Sequence, residues 1–362
     1  MSSPVSRPGI LDIKPYVGGK SSAAGSLKPI KLSSNEGALG PSPKAIAAAA
    51  AAAAEMHRYP DSQSAALRAA IGKRFSLDPA RIVCGSGSDE LIALLVKSYA
   101  GPGDEVLYSQ YGFTMYPISA LTVGATPVWA PEQGYRTDID ALIAKAGPKT
   151  KICFLANPNN PTGSYVTGAD IKRLRDRLPP HTLLVIDAAY AEYVSRNDYS
   201  AGIEIVDGSD NTVMLRTFSK MFALGGMRLG WAYCPPAIVD VLDRVRGPFN
   251  VGAAAQAAGV AALEDLAFQD QVRAHNDRVL PWFVAECEKL DLSTLPSVGN
   301  FVMVRFPDAS AKNAAAANEF LMARAIIPRA VANYGLPEFL RFTIGTDEEM
   351  KAVVAALADF LK

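Results

Sequence analysis

Thr217 to Gly230 reads TFSKMFALGGMRLG. Phe218, Met221, Phe222, Leu224, Met227 and Leu229 give this stretch the composition of a buried segment, yet Lys220 sits inside it and Arg228 follows. A lysine is almost never fully buried unless something pairs with it or reacts with it. The sequence around Lys220 must therefore supply a partner.

Working outward, TVMLRTFS leads into the stretch and RLGWAYCPP leads out of it. Upstream, KICFLANP and TLLVIDAAY are near-continuous apolar runs, as expected of strands buried on both faces. RIVCG, EVLYS and TPVWAP read as further strands, separated by helices in SDELIALLVKSYA and GFTMYPISALTVG. This alternation predicts an α/β fold with a mostly parallel central sheet and helices on both faces. After Gly247-Pro248 the pattern changes to long helical segments, then NFVMVRF, NAAAANEFLMARA, LRFTIG and EEMKAVVAALADFL, which read as a smaller α+β unit. The first 40 residues are rich in Gly, Ser, Pro and Lys and read as an extended arm. The expected organisation is an N-terminal arm or small-domain segment over 1–38, a large domain over 39–265 and a small C-terminal domain over 266–362.

Composition excludes several roles. The chain has 362 residues, with 36 Lys plus Arg against 36 Asp plus Glu, so no net basic field draws it to nucleic acid or an anionic membrane. No stretch is long and apolar enough to span a bilayer, the alanine run around residues 45–54 reads as a helix, and no secretory h-region stands at the N-terminus. Cys84, Cys153, Cys234 and Cys287 have no ligand-like spacing and read as free thiols in a reducing cytoplasm. The three histidines, His57, His181 and His275, have no metal spacing, no metal is expected, and no GxSxG elbow surrounds a serine.

In α/β folds, sites form at the C-terminal ends of strands. After RIVC comes GSGSDE, whose Gly-rich turn into a helix start can cradle a phosphate, although a tight turn explains it equally well. After KICFLA comes NPNNPTG, which can be turn chemistry alone. After LLVI come Asp187 and Tyr190, and a strand-end Asp is often only a helix cap. Then come TFSK and Arg228. Together, in this order, these residues fit pyridoxal phosphate. That cofactor needs a lysine amine to hold its aldehyde as a Schiff base and an anion beside its pyridine nitrogen. It also needs a donor at its ring hydroxyl and a phosphate pocket.

The motifs NPNNPTG, DAAYAEY, TFSKMFALGGMRLGW and LRFTIGT resemble those of fold-type I pyridoxal-phosphate-dependent aminotransferases. KLSSNEGALGPSP, RYPD and YGLPEFLRFTIG narrow the resemblance to the histidinol-phosphate aminotransferase family, from about Leu11 to the C-terminus. The resemblance implies Lys220 as the Schiff-base lysine, Asp187 as the partner of the pyridine nitrogen, and Tyr190 with Asn160 at the ring hydroxyl. It implies Tyr111 of QYGF stacked on the ring, and Ser88, Asp89, Thr217, Ser219 and Arg228 around the phosphate. Tyr59 of RYPD would reach the partner subunit's cofactor, which implies a homodimer. Arg341, Arg329, Tyr16, Asn35 and Asn160 would meet the substrate. Three motifs depart from the family pattern: NEGALGPSP stands for NENPLGPSP, DAAY for DEAY, and PR for VR before Arg329.

The expected activity is ping-pong transfer of an amino group between a small-molecule donor, histidinol phosphate, and 2-oxoglutarate. The alternative donors are phenylalanine and tyrosine, whose flat rings could replace imidazole. A non-catalytic ligand-sensing module is disfavoured by the joint presence of Lys220, Asp187 and Tyr190.

Overall fold

The computed structural model describes residues 4–7, 9–16, 18–20, 29–308 and 311–362. In chain order its strands are β1 (Ile30–Lys31), β2 (Ile82–Gly85), β3 (Glu105–Ser109), β4 (Thr126–Ala130), β5 (Glu132–Gln133), β6 (Arg136–Thr137) and β7 (Thr150–Ala156). There follow β8 (Leu183–Asp187), β9 (Thr212–Thr217), β10 (Gly230–Tyr233), β11 (Phe301–Arg305), β12 (Ile326–Ile327), β13 (Arg329–Ala330) and β14 (Phe339–Thr343).

The central sheet has seven strands in the order β2-β10-β9-β8-β7-β3-β4. All its pairs are parallel except those of β10, which runs antiparallel to both neighbours. β8 and β9 are buried at every residue, as their unbroken apolar runs require. Alternate residues serve opposite faces. Ile82, Cys84, Met214 and Trp231 pack with Leu67, Ile71 and Ala258 on one side. Val83, Val213, Leu215 and Ala232 pack with Leu91, Leu95 and Leu242 on the other. Each such large apolar side chain removed from water stabilises the fold by roughly 1.5–3 kcal/mol. The alanine run forms the helix Pro43–Ala53, and its Ala45 and Ala49 share a core with Ala255, Ala258 and Ala262. No helix of the described residues is long and apolar enough to cross a membrane.

β11, β14 and β13 form an antiparallel sheet packed under the helices Leu266–Lys289 and Asp347–Leu361. β1 pairs in parallel with β12, Ile30 opposite Ile326. The N-terminal segment is thus fastened to the C-terminal unit, and its continuation, Leu32 to Glu36, reaches the ends of the central strands. Thr343 Oγ accepts the Asn35 amide at 2.9 Å, and Asn300 Nδ2 donates to the Asn35 and Glu36 carbonyls at 3.2 Å each.

Candidate active site

One cavity opens at the C-terminal ends of β2, β7, β8 and β9 and is closed from above by residues 33–36 and β14. Of the sequence-selected residues, Tyr16, Asn35, Ser88, Asp89, Asn160, Asp187, Tyr190, Thr217, Ser219, Lys220, Arg228, Arg329 and Arg341 all line it. Two do not. Tyr59 is 82% exposed, outside the cavity, with its ring stacked on Phe249 at 4.6 Å. Tyr111 also stands outside the lining, its ring 6.0 Å from that of Tyr135. The aromatic that lines the cavity from this turn is Phe113, two residues further on. Phe113 is thus an aromatic group of the wall that the sequence reading did not name.

Lys220 is held rather than buried among apolar groups. Its Nζ donates to the Ser34 carbonyl at 3.1 Å and lies 5.7 Å from the centre of the Tyr190 ring. Burial, with the charge of Arg341 adding to it, lowers its pKa to about 8. About a tenth of the amine is therefore neutral at pH 7, far more than for an ordinary lysine, as a nucleophile or base requires.

Asp187 ends β8 and is buried. Its Oδ2 accepts the Tyr116 hydroxyl at 2.7 Å, whereas Oδ1 is buried with no hydrogen-bond partner. Burial raises the carboxyl pKa to about 6, against the pull of the Tyr116 hydrogen bond. An orphaned carboxylate oxygen at a cavity wall is costly unless a ligand donates to it. The sequence reading missed Tyr116, which reads as one apolar position of a helix and meets Asp187 from 71 residues away. Tyr190 OH accepts from Asn35 Nδ2 at 2.8 Å, and burial raises its pKa to about 12.

One end of the cavity lies where β2 turns into the helix Ser88–Tyr99. Gly87 is in the left-handed region, φ 84°, and a Cβ there would meet Arg228 Nη2 at 2.5 Å. A Cβ on Gly230 would meet the Ser88 amide nitrogen at 2.3 Å. Both glycines keep this helix start and Arg228 close together. Arg228 Nη2 lies 3.2 Å from Asp89 Oδ2. Ser219 Oγ accepts from the Thr217 hydroxyl at 3.0 Å. Exposed amides at a helix start with an arginine beside them suit an anion.

NPNNPTG divides its three asparagines. Asn157 Oδ1 accepts the Val166 amide at 2.9 Å, Asn159 Nδ2 donates to Thr162 Oγ at 3.0 Å, and only Asn160 lines the cavity. Asn160 Oδ1 accepts from Arg341 Nη1. Arg341 is buried, and its Nη2 donates to the Ser33 carbonyl at 2.8 Å. Arg329 stands opposite Arg341 in the β13–β14 register. Like charges directly opposed across strands repel, a cost that an anionic ligand would offset. Tyr334, which the sequence reading also missed, lines the same end with Tyr16.

The residues fit pyridoxal phosphate on three counts: the orphaned Oδ1 of Asp187, the anion cradle at Gly87–Ser88, and a partly neutral lysine between them. This fold and site define a pyridoxal-phosphate-dependent enzyme of the class I and II aminotransferases, the family whose model matches residues 28–357, and the chain belongs to it. Two curated histidinol-phosphate aminotransferases, from Paramagnetospirillum magneticum and Rhodospirillum centenum, are each 58% identical to it. The first match covers 100% of this chain and 99% of the relative, the second 100% of both. Within the class, the chain is a member of the histidinol-phosphate aminotransferase family. The crystal structure of histidinol-phosphate aminotransferase from Sinorhizobium meliloti in complex with pyridoxal-5'-phosphate superimposes with a TM-score of 0.90 at 28% identity. That match covers 99% of this chain and 98% of the other. An aspartate aminotransferase from Thermus thermophilus, at 19% identity and a TM-score of 0.84, shares the fold.

Proposed function

We propose that the chain moves an amino group between histidinol phosphate and 2-oxoglutarate. The observation that carries this choice of substrates is the opposed pair Arg329 and Arg341 at one end of the cavity. Histidinol phosphate carries a phosphomethyl group where glutamate carries its α-carboxylate, and an arginine fork suits either anion. Pyridoxal phosphate, when bound, supplies the aldehyde that takes up the amino group and a ring that accepts electrons.

The chain's residues do the rest. Asp187, whose Oδ1 is unpaired, would hold a protonated ring nitrogen, and such a cationic partner would oppose the upward pull of burial on its carboxyl. Tyr190 and Asn160 would orient the ring hydroxyl, Tyr111 would cover the ring face with Phe113 beside it, and Ser88, Asp89, Thr217, Ser219 and Arg228 would hold the phosphate. The Nζ of Lys220, once free, carries the proton to and from the substrate α-carbon. Arg341 binds the anion next to the reacting amine, with Asn35, Asn160 and Tyr16 around it. The donor's keto product must leave before the acceptor enters, so double-reciprocal plots for the two substrates are expected to be parallel.

Histidinol phosphate, phenylalanine, tyrosine and aspartate, each with 2-oxoglutarate, are to be compared by kcat/KM. Histidinol phosphate is expected to lead. Tyr16 and Tyr334 give the donor end aromatic walls, so a lead for phenylalanine or tyrosine would move the assignment to an aromatic aminotransferase.

The enzyme works, on this reading, as a homodimer in the cytoplasm, where four buried free thiols are at home. Tyr59 and Phe249 form an exposed aromatic pair, 82% and 44% accessible, of the kind that marks an interface. Tyr59 would complete the neighbouring subunit's phosphate site. Tyr59→Phe and Lys220→Ala subunits, mixed, are expected to form hybrids with one site carrying both defects and one intact. Activity should recover in the mixture. A fully active monomer in sedimentation, or no recovery in a proven hybrid, contradicts the shared site.

A further inference from the structure

Glu132 is a carboxyl group that the proposed reaction leaves idle. It opens β5, beyond the end of β4, and faces the back of the cavity wall. Its Oε1 accepts the Tyr111 amide at 3.2 Å and lies 3.5 Å from the carboxamide nitrogen of Asn159. Its own amide donates to Gln110 Oε1 at 3.3 Å. Its Oε2 is shut off from solvent with no hydrogen-bond partner, as is Oδ1 of Asn159. Phe113 stands two residues after Tyr111 and Asn160 directly after Asn159, and both line the cavity. Asn159 Nδ2 also lies 3.4 Å from the Tyr111 carbonyl, so the two wall segments touch directly as well as through the Glu132 carboxyl group.

We propose that Glu132 is a positioning residue for transamination, tying the turn that carries Phe113 to the turn that carries Asn160. The proposal rests on the aminotransferase reading of the cavity. A glutamine could accept the same two N–H groups through one oxygen without the cost of a buried charge. A carboxyl group adds a contact whose strength depends on ionisation, because an anionic acceptor holds N–H donors more strongly than a neutral one.

Burial raises the Glu132 pKa to about 7, while the Ser109 hydroxyl and the Tyr111 amide pull it down. The groups facing it are uncharged: Ser109 at the end of β3, Tyr111 in the next turn, Asn159 after β7, and Thr137 opposite on β6. The folded protein binds this proton more tightly than the unfolded chain. The fold therefore loses some stability as pH rises from the ordinary carboxylate range to about 7. The same ionisation strengthens the hold on Tyr111 and Asn159, so the wall tightens as pH rises through that value.

The test uses holoenzyme of wild type, Glu132→Gln and Glu132→Ala. kcat and KM are measured from pH 6 to pH 9, and amide hydrogen exchange is followed in peptides covering 110–114 and 157–163. Glu132→Gln should match wild type at low pH, where both are neutral, and fall about fivefold behind in kcat/KM at high pH, the scale of a charged against a neutral hydrogen bond. Glu132→Ala should lose roughly tenfold or more in kcat at every pH and exchange faster in both peptides. Identical pH profiles for wild type and Glu132→Gln overturn the proposal. So does a Glu132→Ala protein that melts lower with unchanged kinetic constants, or one that exchanges faster in only one peptide. A wild type inactive with every donor refutes the aminotransferase reading instead, and the exchange data still decide whether Glu132 joins the two turns.

Discussion

Replacing Lys220 by alanine is expected to lower kcat/KM by about ten-thousandfold or more, since a positioned acid–base group alone contributes up to roughly that factor and this one also anchors the cofactor. The side chain is placed for both tasks. No other lysine of the described residues lines the cavity, and Nζ is tethered only to a neutral carbonyl, that of Ser34. A carboxylate in that position would lock the ammonium form. Burial and the charge of Arg341 instead bring its pKa to about 8. The sign follows for a depressed lysine: the folded chain releases this proton more readily than the unfolded one, so stability rises with pH from about 8 towards the ordinary lysine value. Purified wild type should be yellow, and borohydride should fix the chromophore to the peptide containing Lys220. Lys220→Ala should bind the cofactor only reversibly and show no fixed label. A label on another lysine, or an alanine variant with near wild-type turnover, would sink the assignment.

Lys220 was legible because it stands among apolar residues of a buried run. Phe218 and Met221 are only 0% and 1% exposed, so the amine between them had to have a destination. Asp187, Asn160 and Ser219 were legible through a rule of geometry, that strand C-terminal ends in α/β folds face one crevice. The same rule does not reach residues delivered by long-range packing. Tyr116 lies on a helix face with apolar neighbours, and nothing local indicates that its hydroxyl caps Asp187. Phe113 lies in an irregular turn after β3, where no periodicity marks its ring as part of the cavity wall. The strap Ser33–Glu36 carries two backbone acceptors, the Ser33 carbonyl for Arg341 and the Ser34 carbonyl for Lys220, and backbone carbonyls leave no trace in side-chain chemistry. The fold class was plain from the apolar runs of β7, β8 and β9, but the reversed direction of β10 depends on pairing with β2, which lies about 150 residues earlier.

Arg341→Ala should depress kcat/KM for every donor. Each substrate carries an anion beside its reacting amine or ketone, and Arg341 is buried with Asn160 and the Ser33 carbonyl as its partners. Truncating one member of a buried charged hydrogen bond costs about 2–5 kcal/mol, or roughly thirtyfold to several thousandfold. The upper part of that range is expected, because the Asn160 oxygen and the Ser33 carbonyl also lose their donor. Arg329 is only half-buried and lies across the strand pair from Arg341. Its effect should therefore be smaller and selective: larger for histidinol phosphate and glutamate, which present phosphate or a second carboxylate, than for phenylalanine, whose side chain carries no charge. Arg329→Ala should lower the affinity for phosphate-bearing donors. Equal losses for all donors would remove the selective role of Arg329. Unchanged half-reactions in Arg341→Ala would leave the substrate anion without its binding group, and the enzyme would then be an aminotransferase whose donor is recognised elsewhere in the cavity.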